Sequence, residues 1–235
     1  MGHTARNGKD SVAGYIKEIY PNTHILHWAD HLYEECRNED NRIPLIKQTQ
    51  QDDSYFYQIK DSVSADGATK VVIKSANDVP GLHKMFTDRN INVLYGMREK
   101  DAELLQFWGT DYRRAQDDLY WVKRTSEDIE TIAATYKEGD EPIVILIPDT
   151  RFINEFNRIK ELGGIYVKVT RLNEDDSLYV SQDRDPNHPS EVNLKDIPGD
   201  VEIVAYSGDM KSLNAASKRL IEYALNVVGV VPLAS

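Results

Sequence analysis

Lys9 closes the stretch of this chain best suited to chemistry, HTARNGKDS (His3–Ser11), which runs directly into the helix-like SVAGYIKEIY. Backbone N–H groups of a compact Gly/Asn turn, joined to a helix N-terminus, form an anion site. A lysine that follows can reach a bridging phosphate. The spacing departs from G-x-x-x-x-G-K-[ST]: His3 stands where the first glycine is expected, Gly2 is one residue early, and Asp10 follows the lysine with Ser11 next. Taken alone, the stretch serves equally well as an ordinary helix-capping turn. A hydrophobic strand is expected ahead of such a loop, so what holds the loop is left open.

Other polar residues fall just past apolar runs, where an open parallel sheet places its ligand crevice. Asp30 follows THILHW, Asp149 and Arg151 follow IVILI, and Arg171 follows IYVKV. Asp30 serves equally well as the helix N-cap of HLYEECR. Arg113 and Arg114 follow Gly109-Thr110-Asp111, read as a glycine turn between two helices, and Arg6 lies in the first loop. On a doubly wound sheet these groups and Lys9 converge. Several arginines with one loop lysine suit a ligand carrying multiple phosphates, and Asp10 or Asp149 could hold Mg²⁺ directly or through water. His24, His27 and His31 make a poor metal cluster, because positions 24 and 27 of a strand point to opposite faces.

Bulk properties narrow the classes. The 235 residues carry 28 basic and 39 acidic side chains, a formal charge of −11, which argues against a nucleic-acid polymer as partner. The single cysteine, Cys36, removes an internal disulfide framework and the common cysteine-based zinc sites. No run reaches membrane-span length and no signal sequence is visible, so a soluble, cytoplasmic protein with no membrane partner is expected.

The elements that position these residues read as α/β. Val12, Ile16 and Ile19 give a first helix, and Pro21-Asn22 ends it. Residues 23–28 form a short strand. Residues 38–66 are polar with weak pattern, followed by candidate strands at 70–76 and 91–97. DAELLQFW (101–108) is a helix, and DDLYWVKRTSEDIETIAATY is a longer one with Leu119, Trp121, Val122, Ile129 and Ile132 inward. IVILI (143–147) has the continuous apolar character of a central parallel strand. A helix at 152–162, a strand at 165–169, a strand at 201–207 and a helix at about 211–227 complete a βαβ-type order, the last helix with Leu213, Leu220, Ile221 and Leu225 inward. The expected fold is a doubly wound, mostly parallel α/β sheet.

Four blocks then fall in order: GKDSVAGYI, GTDYRRAQDDLYWVK, IPDTRFINEFNRIKELGGIYVKVTR and HPSEVNLKDIPGD with a terminal helix. In that order they resemble phage-type deoxynucleoside monophosphate kinases, over residues 2–36 and 101–225. In that family G-K-D-T stands for G-K-[ST], which Asp10-Ser11 follows. The resemblance implies a single P-loop kinase domain over 1–235, with an inserted acceptor-side lobe at 38–100 and a lid-like segment at 172–192. It implies transfer of the γ-phosphate of ATP, with Mg²⁺, to a nucleoside monophosphate, in the host cytoplasm if the chain is phage-encoded. By the same resemblance Thr4, Ala5, Arg6, Asn7, Gly8, Lys9, Asp10 and Ser11 cradle the donor phosphates. Lys9, Arg151 and Arg171 are the catalytic cations. Asp30, Thr110, Asp111, Arg113, Arg114, Asp149 and Arg184 bind the acceptor, and Asp10 and Asp149 face the metal. A homodimer is left open. Two other readings stay open on the residues: a relative that binds nucleotide without transferring phosphate and acts as an interaction or regulatory protein, and a P-loop kinase for another small metabolite. Tyr55, Phe56, Tyr57 and Trp108 could stack on a base, though each suits a core equally.

Overall fold

The computed structural model describes residues 6–37, 43–51, 54–63, 69–75, 93–94, 102–180 and 192–227. It divides into two compact units, residues 1–28 with 124–235, and residues 29–123.

The first unit is built on parallel strand pairs. Helix α1 (Lys9–Ile19) leads to β1 (Thr23–Ile25), which pairs in parallel with β6 (Val144–Leu146) in the register Thr23↔Val144. Helix α5 (Ile153–Glu161) follows β6. It leads to β7 (Val167–Leu172), which pairs in parallel with β8 (Val201–Tyr206) from Val167↔Val201 to Leu172↔Tyr206. Helix α6 (Met210–Val227) ends the described chain. Mixed α/β architecture with small parallel sheets is therefore present, as two two-stranded pairs.

The core of this unit follows from periodicity. Val12, Ala13 and Ile16 of α1 and Leu213, Leu220, Ile221 and Leu225 of α6 recur at helical spacing. They bury against Val167 and Val169 of β7 and Ile203 and Ala205 of β8, which alternate along their strands. All four inward positions expected for the last helix are buried, while Ile19, expected on the inner stripe of α1, is 36% exposed at its last turn. IVILI supplies a strand of only three residues whose side chains are half-buried, rather than a fully covered central strand.

The second unit begins with α2 (Asp30–Arg37). A four-stranded antiparallel sheet follows, in the order β4-β3-β2-β5, from β2 (Ile43–Gln51), β3 (Ser54–Val63), β4 (Thr69–Ser75) and β5 (Val93–Leu94). The stretch read as polar and patternless thus contains two long strands, paired through Gln51↔Ser54 to Leu45↔Ile59 with a register shift between Leu45 and Lys47. Antiparallel neighbours satisfy the backbone of such strands whatever their hydropathy, so a polar run leaves no periodic trace.

Helix α3 (Ala102–Gln106) runs without a break into a π-helical stretch, Phe107–Arg114. The glycine turn expected at 109–111 is corrected: Gly109 lies inside the π stretch. A Cβ placed there would stand 2.8 Å from Leu32 Cδ2, so glycine here allows a close approach to α2 that a larger residue would reach only by shifting the Leu32 side chain, and it does not make a turn. Helix α4 (Tyr120–Ala133) follows, with Trp121 and Val122 buried and Leu119, expected inward, 38% exposed just before it.

Candidate phosphate site and a buried ion pair

The loop ahead of α1 turns through two left-handed residues, a conformation from which anion-binding nests are built: Arg6 has φ 59°, and Gly8 has φ 91° at the N-cap, where it brings no side chain to cap the helix. Two bonds fasten this loop to β7. Asn7 Nδ2 donates to the Val169 carbonyl (3.2 Å), and Arg171 Nη1 donates to the Arg6 carbonyl (3.3 Å). Arg171 also donates from Nε to Ser207 Oγ (2.9 Å) and lies 4.0 Å over the Tyr179 ring. The loop is therefore held by β7 and its arginine.

A cleft of about 350 Å³ opens beside the loop. One wall is Arg6, Asn7, Gly8, Asp10, Ser11 and Arg171; the other is Ala205, Tyr206, Gly208, Asp209, Met210 and Leu213, from the end of β8, the turn after it and the start of α6. That turn is shaped by Gly208 at φ 86° and by Asp209, whose carboxylate accepts the Ser212 amide at 2.9 Å at the start of α6. Sequence reasoning did not include this turn. Its signal was present, since Ser207-Gly208-Asp209 follows a strand as Asp149-Thr150-Arg151 does.

Lys9 is 5% exposed in the first turn of α1. Asp10 beside it is exposed and on the cleft wall. Gly8 cannot be exchanged freely: its left-handed φ strains any L side chain, and a Cβ would come to 3.2 Å from Leu213 Cδ2. Gly8→Ala is expected to cost about 1–2 kcal/mol from the backbone conformation. Thermal melts of the two chains check this, and an unchanged melt would contradict it.

Asp149 and Arg151 stand at the end of β6, off the cleft wall. Asp149 Oδ1 accepts the Trp28 amide (3.0 Å), and Thr150 Oγ1 accepts from Trp28 Nε1 (3.1 Å), which ties the end of β6 to the end of β1. The Arg151 and Phe152 amides donate to Glu155 Oε2 at 2.8 and 3.0 Å, where the buried Glu155 closes the N-terminus of α5. Thr4, Ala5 and Arg184 lie outside the described residues, as does most of the segment read as a lid.

The remaining acceptor-side residues belong to the second unit. Asp30 is exposed at the first position of α2 and Thr110 is exposed on the π stretch. Burial pushes the Asp111 carboxyl above its ordinary value. Arg113 and Arg114 are half-buried at the end of the π stretch. Arg113 donates from Nε to Oε2 of the buried Glu35 at 2.9 Å, and Trp108 Nε1 donates to the same oxygen at 2.9 Å. Tyr120 donates to Glu35 Oε1 at 2.5 Å. The Arg113 guanidinium sits 5.0 Å from the Trp108 ring and 4.8 Å from that of Tyr120, and Trp108 stacks on Tyr112 at 4.9 Å. Trp108, read as a base-stacking candidate, is 3% exposed within this cluster. Glu35 was absent from the sequence-derived set, since a glutamate in a short polar helix carries no signal of its own.

Compared with known proteins, the chain matches no family model and no curated protein. No helix among the described residues is long and apolar enough to cross a membrane.

Proposed function

We propose that this protein is an ATP-dependent nucleoside monophosphate kinase whose donor phosphates bind at the Arg6–Ser11 loop. The observation that carries the reading is the combination at one helix N-terminus: two left-handed residues, Arg6 and Gly8, lining a cleft, and Lys9 in the first turn, buried and not itself on the cleft wall. Backbone amides and the helix dipole favour a polyphosphate there. Arg6 and Arg171 add positive charge on the same wall.

The residues fit a magnesium-bound nucleotide. An exposed carboxylate beside a phosphate cleft repels the ligand unless a cation lies between them, and Asp10 and Ser11 both line this cleft. Mg²⁺ commonly takes one or two protein oxygens together with substrate phosphates, so no dense ligand cluster is required. When bound, it supplies charge neutralisation between the donor phosphates. The chain's own contribution is alignment: the nest orients the phosphates, Lys9 offsets charge on the group being transferred, and Arg171 ties the loop to β7 and β8. The wall formed by Tyr206, Met210 and Leu213 offers apolar contact to the nucleoside part of the donor. Arg113 and Arg114 are read as acceptor-side cations.

A panel of ribo- and deoxynucleoside monophosphates assayed with Mg·ATP for ADP release tests the reading. Acceptor-dependent ADP with at least one nucleotide is expected. ATP binding without acceptor-dependent release would instead assign a nucleotide-binding protein without transferase activity. Release with only a non-nucleotide acceptor would assign another small-molecule kinase.

A further inference from the structure

We propose that Glu35 is a positioning residue that holds Arg113 as the receiver of a phosphate group in the second unit. The acceptor role of Arg113 rests on the kinase reading above; the geometry of the pair does not. The Glu35 side chain is 4% exposed and that of Arg113 is 21% exposed, so the acid is sealed while part of the arginine side chain reaches the surface. A pair kept only for packing gains most when the arginine is engaged bidentately. Here the carboxylate takes Nε alone, at 2.9 Å. Among the described residues, Nη1 and Nη2 donate no hydrogen bond. Two N–H groups on one planar edge match two phosphate oxygens, and this is the geometry for which arginine differs from lysine.

The surroundings limit how the guanidinium can turn. Trp108 and Tyr120 donate to the two Glu35 oxygens, which fixes the carboxylate, and their rings stand 5.0 and 4.8 Å from the guanidinium. Gly109 keeps the π stretch close against Leu32 of α2, the helix that carries Glu35. An arginine restrained in this way loses little conformational freedom on taking a phosphate. The ligand class is a phosphate monoester dianion, the group a nucleoside monophosphate presents.

Two measurements test the proposal on the full chain. In side-chain ¹⁵N–¹H spectra, the Arg113 resonance is assigned by its loss in Arg113→Lys, and the probes are inorganic phosphate and the four deoxynucleoside monophosphates. The Arg113 signal is expected to shift on titration, and Glu35→Gln should require about tenfold more ligand for the same shift. In turnover, Glu35→Gln should raise KM for the monophosphate by about tenfold and leave KM for ATP unchanged, with the double variant Glu35→Gln/Arg113→Lys no worse than Arg113→Lys. An Arg113 signal that ignores every probe overturns the proposal, as does an equal rise in both KM values. A wild-type chain that turns over no nucleotide yet shows the Arg113 shift overturns the kinase reading and leaves the Glu35–Arg113 inference standing.

Discussion

Lys9→Ala is expected to lower kcat by about a thousandfold while the chain remains folded, the scale of losing one pre-oriented charge on a transferring phosphate. Its local setting makes the prediction specific. Lys9 is 5% exposed and lies in the first turn of α1, where the helix dipole disfavours a cation and burial penalises an ammonium. Alanine has the best helix propensity and relieves both costs, against the loss of the buried aliphatic stem and of the lysine's own polar interaction. The unliganded variant should remain folded. What it should lose is the rise in melting temperature that the proposed kinase activity predicts for the wild type with Mg·ATP, because that rise would be binding free energy. Single-turnover assays and melts with and without nucleotide check the two halves separately. Near-normal phosphoryl transfer by Lys9→Ala would sink the assignment of Lys9. A variant that fails to fold without ligand would show the lysine to be structural.

Trp121→Ala is expected to produce the largest loss of stability, about 3–5 kcal/mol, as for other buried tryptophans cut back to alanine. Trp121 is 3% exposed, its indole donates from Nε1 to the Gly109 carbonyl at 3.0 Å, and its ring meets Tyr120 edge-on at 4.7 Å. That bond ties the first turn of α4 to the π-helical stretch. Trp121→Phe separates the contributions: it keeps most of the apolar contact and loses the hydrogen bond to the Gly109 carbonyl, which should cost about 0.5–1.5 kcal/mol. Denaturant unfolding of both variants measures this, and equal losses would show that the hydrogen bond, not the packing, carries the effect. Because the same stretch carries Asp111, Arg113 and Arg114, any residual activity in Trp121→Phe should show a raised KM for the acceptor and little change for ATP.

The two variants also separate what could be read locally from what could not. The first helix, the strand–helix–strand run through IVILI and FINEFNRIKEL, and the last helix were legible because each carries its own periodicity. Leu213, Leu220, Ile221 and Leu225 are buried as that spacing requires. The strands β2 and β3 were not legible, because their backbone is satisfied by each other and their polar residues do not alternate cleanly. Gly109 was misread for a related reason. A glycine has no side chain to report its surroundings, and a turn and a close helix contact both favour one.

By itself, the sequence determined an acidic α/β chain with a lysine-bearing loop at a helix N-terminus and arginines near the ends of its elements. Those properties are local: charge, residue type and periodicity are complete within a few neighbours. Only the tertiary structure decided how the loop is held, through Asn7 to Val169 and Arg171 to Arg6, each across more than 160 residues of chain. It also decided that Asp149 and Thr150 receive Trp28, and that Glu35 rather than a loop carboxylate engages Arg113. A hydrogen bond depends on where two distant groups meet, and that meeting is set by the packing of β7, β8 and α6 in one unit and of α2 against the π stretch in the other. No spacing along the chain encodes it.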